Sequence, residues 1–202
     1  MKLWKKLCIT FLVALMAFFS VNVGNVDAKE TVTTKKSVLS IDAGRKYFSE
    51  DQLKQIIDKA YKNGYTSVQI LLGNDGLRFV LDDMSMQVNG KSYASEDVKK
   101  AITAGNNSYY ADPNGDVLTE DEMDRIVAYA KERGLDIIPG INSPGHMDSI
   151  LVAMEQLGLE NVRYTKDGRE SERTVNIENP EAIEFTQVLV KKYICLLYTS
   201  PS

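Results

Sequence analysis

Histidine occurs once in this sequence, at His146, and cysteine twice, at Cys8 and Cys195. Cys8 opens an apolar run too early to serve as a lipoprotein site, and Cys195 stands among the last few residues. The stretch between them has no thiol, so no disulfide framework can be read from it. Excess positive charge is also missing. Lys and Arg number 24 against 28 Asp and Glu, for a net charge of -4. A binder of nucleic acid carries a basic footprint, so that partner class is excluded. No metal and no cofactor is expected. A length of 202 residues suits one domain or part of a larger one.

The first segment reads as an address. Lys2, Lys5 and Lys6 precede an almost wholly apolar Leu7 to Val23, and Val26-Asp27-Ala28 offers small residues for cleavage. Residues 1–28 are therefore expected to be a signal peptide, with an uncleaved membrane anchor as the alternative. The protein is expected to be secreted or at the cell surface, touching membrane only through this segment. Residues 29–37 are a polar linker rich in Thr and Lys. At the other end, residues 195–202 resemble the translation of a sequencing adapter, so the native chain is expected to be readable over 38–194.

Between these ends one unit recurs. Val38-Leu39-Ser40-Ile41-Asp42 reads as a strand, and Ser49 with Gln52 forms a capping box. The helix behind it carries Leu53, Ile56, Ile57, Ala60 and Tyr61 on one face and stops at Gly64. Ser67 to Leu72 is the second strand. Residues 73–118 form a long excursion with Asp82-Asp83, a short helix over 95–103 and the pair Tyr109-Tyr110. The unit then repeats, with Thr119 and Glu122 as capping box, the stripe Met123, Ile126, Val127, Ala130, and Gly134 as stop. The apolar run from Leu135 to Ile138 has the pattern of a strand buried on both faces, and it runs into Pro139-Gly140 and Pro144-Gly145-His146. A further helix carries Ile150, Leu151, Met154 and Leu157 and is followed by a polar excursion to Asn176. Asn179-Pro180 then starts a helix with Asn as cap and Pro at its first position.

Short helix-to-strand links and long strand-to-helix links predict an α/β fold, the N-terminal part of a (β/α)8 barrel that is incomplete, with its working face at the strand C-termini. An open doubly wound sheet is the alternative, but no Gly-rich phosphate loop follows any strand. Leu39, Ile41, Ile70, Leu72 and Ile138 are expected to face the barrel interior.

The polar groups at the strand ends are Asp42 and Arg45, Asn74 and Asp75, Asn142, and His146. Arg45 is a fork of donors suited to vicinal hydroxyls or a carboxylate. Each residue also has a plain structural reading: a surface ion pair for Arg45, a turn former for Asp75, a helix cap or packing contact for His146.

Three motifs narrow the choice: Ile41-Asp42-Ala43-Gly44-Arg45-Lys46-Tyr47-Phe48, Asn74-Asp75-Gly76-Leu77-Arg78-Phe79, and Ile138-Pro139-Gly140-Ile141-Asn142-Ser143-Pro144-Gly145-His146. Together they resemble the β-N-acetylhexosaminidases of glycoside hydrolase family 20, above all the cell-surface enzymes of Gram-positive bacteria. The resemblance implies a glycan substrate with a terminal β-linked N-acetylhexosamine. It implies that Arg45, Asp42 and Asn142 bind the sugar, and that Asp75 and His146 support the general acid. Gly140 and Asn74 stand where many members carry Glu and Asp. In the family the substrate's own acetamido oxygen attacks the anomeric carbon. An Asp-Glu pair after the fourth strand orients that group and protonates the leaving oxygen. No such pair follows Asn179, and Asp121-Glu122 lies in a helix first turn where acids favour the dipole. The expectation is a fragment, inactive by itself. A non-catalytic carbohydrate-binding barrel or another barrel glycosidase are the alternatives.

Overall fold

A computed structural model describes residues 35–109 and 117–199. The signal segment, most of the linker, Tyr110 and the last residues of the adapter-like tail lie outside the described residues.

Three parallel strands carry the site. Strand β2 (Ser67–Asn74) pairs with β1 (Val38–Asp42) and with β6 (Asp136–Ile141). A two-residue strand β3 (Gly76–Leu77) folds back antiparallel on the end of β2. Helix α1 (Glu50–Lys62) joins β1 to β2, and α3 (Glu120–Lys131) leads into β6. Both begin at the expected capping boxes, Ser49 with Gln52 and Thr119 with Glu122. Each box satisfies two backbone N–H groups that the first turn leaves without helical partners. Asp121-Glu122 is thus a capping element. Gly64 and Gly134 follow the two helices with φ of 73° and 68°, the left-handed conformation that glycine adopts freely.

Register decides which side chains meet. Leu39 lies beside Val68 and Ile41 beside Ile70, while Val68 lies beside Ile137. This row joins Leu72 and the helix residues Leu53, Ile57, Met123 and Ile126 in one core. Full burial of each such side chain is worth roughly 1.5–3 kcal/mol. Leu39, Ile41, Ile70 and Leu72 therefore face the helices and not the barrel interior as expected. The opposite row holds Ser40, Gln69, Leu71, Ile138 and Gly140. It accounts for the exposure of Asp136, Ile138 and Gly140 on β6, a strand that is exposed or half-buried throughout instead of buried on both faces. An apolar run does not reveal which alternate residues point to which side; pairing does. Among the described residues the sheet stays open, in keeping with an incomplete (β/α) barrel.

The long excursions are structured. Residues 73–118 contain a hairpin, β4 (Met86–Val88) and β5 (Lys91–Tyr93), then helix α2 (Ser95–Tyr109). The polar stretch before Asn176 contains a second hairpin, β7 (Arg163–Lys166) and β8 (Arg169–Val175). It follows α4 (Asp148–Gln156) and precedes α5 (Pro180–Thr199). Asn179 caps α5 as read, its side-chain oxygen accepting from the Glu181 and Ala182 amides.

Glu50 ties α1 to α3. Its carboxylate takes Arg125 through Nε and Nη2, at 3.0 and 2.8 Å to Oε2, and Lys54 at 2.6 Å. The hydrogen bond from Arg125 and then that from Lys54 hold the Glu50 carboxyl down at about 2, from an ordinary 4.5. A folded-state value below the unfolded one stabilises above pH 4.5, and that contribution is lost as pH falls through about 2. Glu50→Gln is therefore expected to lower Tm at pH 7, with the difference from wild type closing between pH 4.5 and 2. A difference that persists unchanged at pH 2 would remove the ion pair as its cause.

Candidate functional site

The ends of β1, β2 and β6 bring together the residues singled out above. After β1 the chain turns on Asp42, whose Oδ1 accepts from the backbone N–H of Gly44 at 3.2 Å and of Arg45 at 3.1 Å. This local bond aims Arg45 across the sheet end. Gly44 is needed for the approach: a Cβ there would lie 2.3 Å from the Asn74 backbone nitrogen.

Two polar chains cross the strand ends. In the first, Asn142 Nδ2 donates to Asn74 Oδ1 at 2.7 Å, and Asn74 Nδ2 donates to Asp42 Oδ2 at 2.7 Å. An amide at position 74 both accepts and donates. An aspartate there would set a second carboxylate against Asp42, so Asn74 suits this network. The Asn142 backbone is pinned too, its N–H donating to Gly73 at 2.8 Å.

In the second chain, Arg45 Nε donates to Asp75 Oδ2 at 2.7 Å and its Nη1 lies 3.3 Å from Asp42 Oδ2. Asp75 Oδ1 is 3.0 Å from His146 Nδ1. The Asp75 side chain is 1% exposed, while Arg45 and His146 are 40% and 45% exposed. A buried carboxylate needs donors, and it has them in Arg45 and the imidazole. His146 Nδ1 therefore carries a proton and donates it to Asp75. The same Nδ1 is 3.2 Å from Arg45 Nη2, which must be a close approach and not a hydrogen bond, since a protonated Nδ1 cannot accept.

Backbone bonds lock this pair. The Asp75 N–H donates to the His146 carbonyl at 2.7 Å, and the Asp75 carbonyl accepts from Ser149 at 2.8 Å. Asp75 and His146 hold φ of 61° and 59°, a sparsely populated region for residues with a Cβ that marks them as held by their surroundings. Helix α4 has no side-chain cap bond at its start, so His146 does not serve as that cap. Asp75 does make the turn between β2 and β3, as its plain reading expects, and holds Arg45 as well.

One residue without an assigned role from sequence joins the cluster. Asp148 is 8% exposed, and its carboxyl lies against that of Asp75. Burial, then the contact with Asp75, pushes it up to about 6 from 3.8. An acid in a helix first turn is so common that its position carries no signal of this contact. Asp148 also lines a cavity of about 640 Å³ with Ser108, Arg163 and Arg173. Among the described residues no three of the His, Cys, Asp and Glu side chains stand together as a metal site.

The arrangement offers a forked cation and side-chain amides at one sheet edge, backed by a buried acid and an imidazole. Known proteins resemble this chain over long stretches. The family model for the glycosyl hydrolase family 20 catalytic domain matches residues 38–200. Lacto-N-biosidase of Bifidobacterium bifidum is 32% identical over 117 residues, 58% of this chain and 9% of that protein. A structure of the tandem GH20 catalytic modules of the pneumococcal exo-β-D-N-acetylglucosaminidase StrH has a TM-score of 0.78 and 54% sequence identity, covering 80% of this chain and 39% of that one. The β-N-acetylhexosaminidase of Streptomyces coelicolor A3(2) shares the fold at TM-score 0.61 and 22% identity, over 80% of this chain and 30% of that one. This chain therefore spans well under half the length of each of these relatives, and it belongs to glycosyl hydrolase family 20.

Proposed function

We propose that this chain is the sugar-gripping part of an exported β-N-acetylhexosaminidase that removes terminal β-linked N-acetylhexosamine from glycans. The observation that carries the reading is the Arg45 guanidinium at the end of β1, set by Asp75 and Asp42 and still 40% exposed toward the open strand ends. The 54% identity to the pneumococcal exo-β-D-N-acetylglucosaminidase supports it.

In this reading Arg45, Asp42 and Asn142 hold the hydroxyls of the terminal sugar. Asp75 and His146 support the general acid by fixing its hydrogen-bonding surroundings. The 2-acetamido oxygen of the substrate attacks the anomeric carbon and displaces the aglycone with retention. The acid that protonates the leaving oxygen, and the aspartate that orients the acetamido group, come from the Asp-Glu pair that the family places after its fourth strand. Residues 1–28 direct export.

The test compares two substrates with the complete enzyme that carries these residues. p-Nitrophenyl β-N-acetylglucosaminide is expected to be hydrolysed with kcat/KM on the order of 10³-fold or more above that of the β-glucoside, because a held intramolecular nucleophile reaches effective molarities on the order of 10⁵ M. Equal turnover of the glucoside would point to a carboxylate nucleophile and another glycosidase mechanism. Sugar binding with no turnover of either would identify a non-catalytic binding module.

A further inference from the structure

Asp148 and Asp75 present an imbalance of hydrogen-bond partners. Two backbone bonds, from Asp75 N–H to His146 and from Ser149 N–H to Asp75, draw the start of α4 onto the end of β2. Helix α2 presses from the other side, where a Cβ on Gly105 would lie 2.1 Å from the Ser149 carbonyl oxygen. The Asp148 carboxyl is thereby delivered to the Asp75 carboxyl in a nearly dry place. Among the described residues no donor reaches Asp148 Oδ2.

Among the described residues the charged groups facing Asp148 are Asp75 from the turn between β2 and β3, Arg163 from β7, and Glu170, Glu172 and Arg173 from β8, while α2 offers Ser108 on the cavity wall. Arg173 approaches Asp148 Oδ1 at 3.9 Å, too long for a hydrogen bond. Arg163 is already engaged with Glu155 at 2.5 and 2.9 Å. Neither cation supplies the missing donor. Two carboxylates cannot bond to each other unless one carries a proton, and the like-charge cost in a buried pair keeps one proton bound. Asp75 already accepts from Arg45 and His146, so the charge resides there and the proton on Asp148.

We propose that Asp148 is a positioning residue: it carries the shared proton of an Asp148–Asp75 carboxyl pair and, by donating it to Asp75, holds Asp75 where it fixes Arg45 and His146. This rests on the proposed sugar site. The cavity beside Asp148 gives that proton a path of exchange with solvent. When Asp148 ionises, the donor is lost and a second negative charge stands against Asp75, so the grip on Arg45 loosens and sugar binding weakens.

The test uses the complete enzyme. Wild-type KM for p-nitrophenyl β-N-acetylglucosaminide is expected to rise as pH climbs through about 6. Asp148→Ala removes the donor at every pH and is expected to raise KM on the order of tenfold at pH 5. Asp148→Asn, whose amide donates irrespective of pH, is expected to recover most of that loss and to show no step in KM near pH 6. A wild-type KM in Asp148→Ala, or a pH step retained in Asp148→Asn, would overturn the proposal. A second readout needs no turnover: the carboxyl ¹³C resonance that disappears in Asp148→Asn should titrate near 6 in wild type and lower in Asp75→Asn. Titration at the ordinary 3.8 overturns the carboxyl pair. Titration near 6 in a protein that hydrolyses neither substrate would leave the pair standing and defeat the glycosidase reading alone.

Discussion

Residues 29–194, produced alone, are expected to give no measurable turnover of p-nitrophenyl β-N-acetylglucosaminide under conditions where the complete enzyme hydrolyses it. The acids of the cluster are already committed. Asp42 accepts from Asn74 and from the Gly44 and Arg45 amides, Asp75 from Arg45 and His146, and Asp148 is buried against Asp75. Glu122 is held in its capping box with Thr119. General acid catalysis alone contributes roughly 10²–10⁴-fold, and an acetamido group without its orienting aspartate forfeits the intramolecular attack as well. The sheet adds a second expectation. Among the described residues β1 and β6 each pair only with β2, which leaves two open edges prone to association. The helix-packed side keeps a core, so helical signal should persist, whereas Ser40, Gln69, Leu71 and Ile138 on the opposite row are exposed or half-buried. Turnover by this piece, or a sharp two-state melt from it, would contradict the expectation.

Arg45→Lys in the complete enzyme should lower kcat/KM on the order of 10²-fold or more. Three features of the guanidinium matter here besides its charge, and an ammonium reproduces only the charge. Nε is bonded to buried Asp75 at 2.7 Å, Nη1 leans on Asp42 at 3.3 Å, and the fork is thereby fixed in plane. Lysine keeps the charge but has neither the plane nor enough donors to hold both carboxylates and meet two sugar hydroxyls. Hydrogen bonds involving a charged partner are each worth about 1.5–3 kcal/mol, so losing one or two accounts for the factor. If Arg45 holds sugar hydroxyls as proposed, substrates lacking those hydroxyls should lose less on the same substitution. An unchanged kcat/KM would make Arg45 a structural ion pair.

Much of the site was legible because it depends on local rules. Capping boxes at Ser49 and Thr119 fixed both helix starts and the glycines fixed the stops, which placed Asp42, Asn74 and Asn142 beside the strand ends, although β2 runs on past the expected Leu72 to Asn74 and β6 stops at Ile141. What escaped depends on contacts remote in sequence. Helix α2 continues through Thr-Ala-Gly-Asn-Asn-Ser, a run that reads as a helix ending. It continues because the Asn106 amide bonds both backbone groups of Leu77 at 2.8 Å, and because Gly105 admits the Ser149 carbonyl. The two hairpins lack apolar runs, yet Asn89-Gly90 and Asp167-Gly168 signal them. All four residues have positive φ, as the tight turn between twisted strands requires. The face of each strand was not legible at all. Leu39 and Ile41 are apolar enough for either side, and only their pairing with Val68 and Ile70 turns them toward α1 and α3. Asp148 escaped for a similar reason, since its partner lies 73 residues away at Asp75.

The central claim is that the Arg45 guanidinium is the hand that holds the terminal sugar. A crystal structure of the complete enzyme with N-acetylglucosamine bound tests it most directly. The expected result is a sugar ring over the ends of β1, β2 and β6, two hydroxyls within about 3 Å of Arg45 Nη1 and Nη2, and Asp75 still bonded to Arg45 Nε behind it. A sugar bound elsewhere, with the Arg45 fork touching only Asp42, Asp75 and His146, would contradict the account.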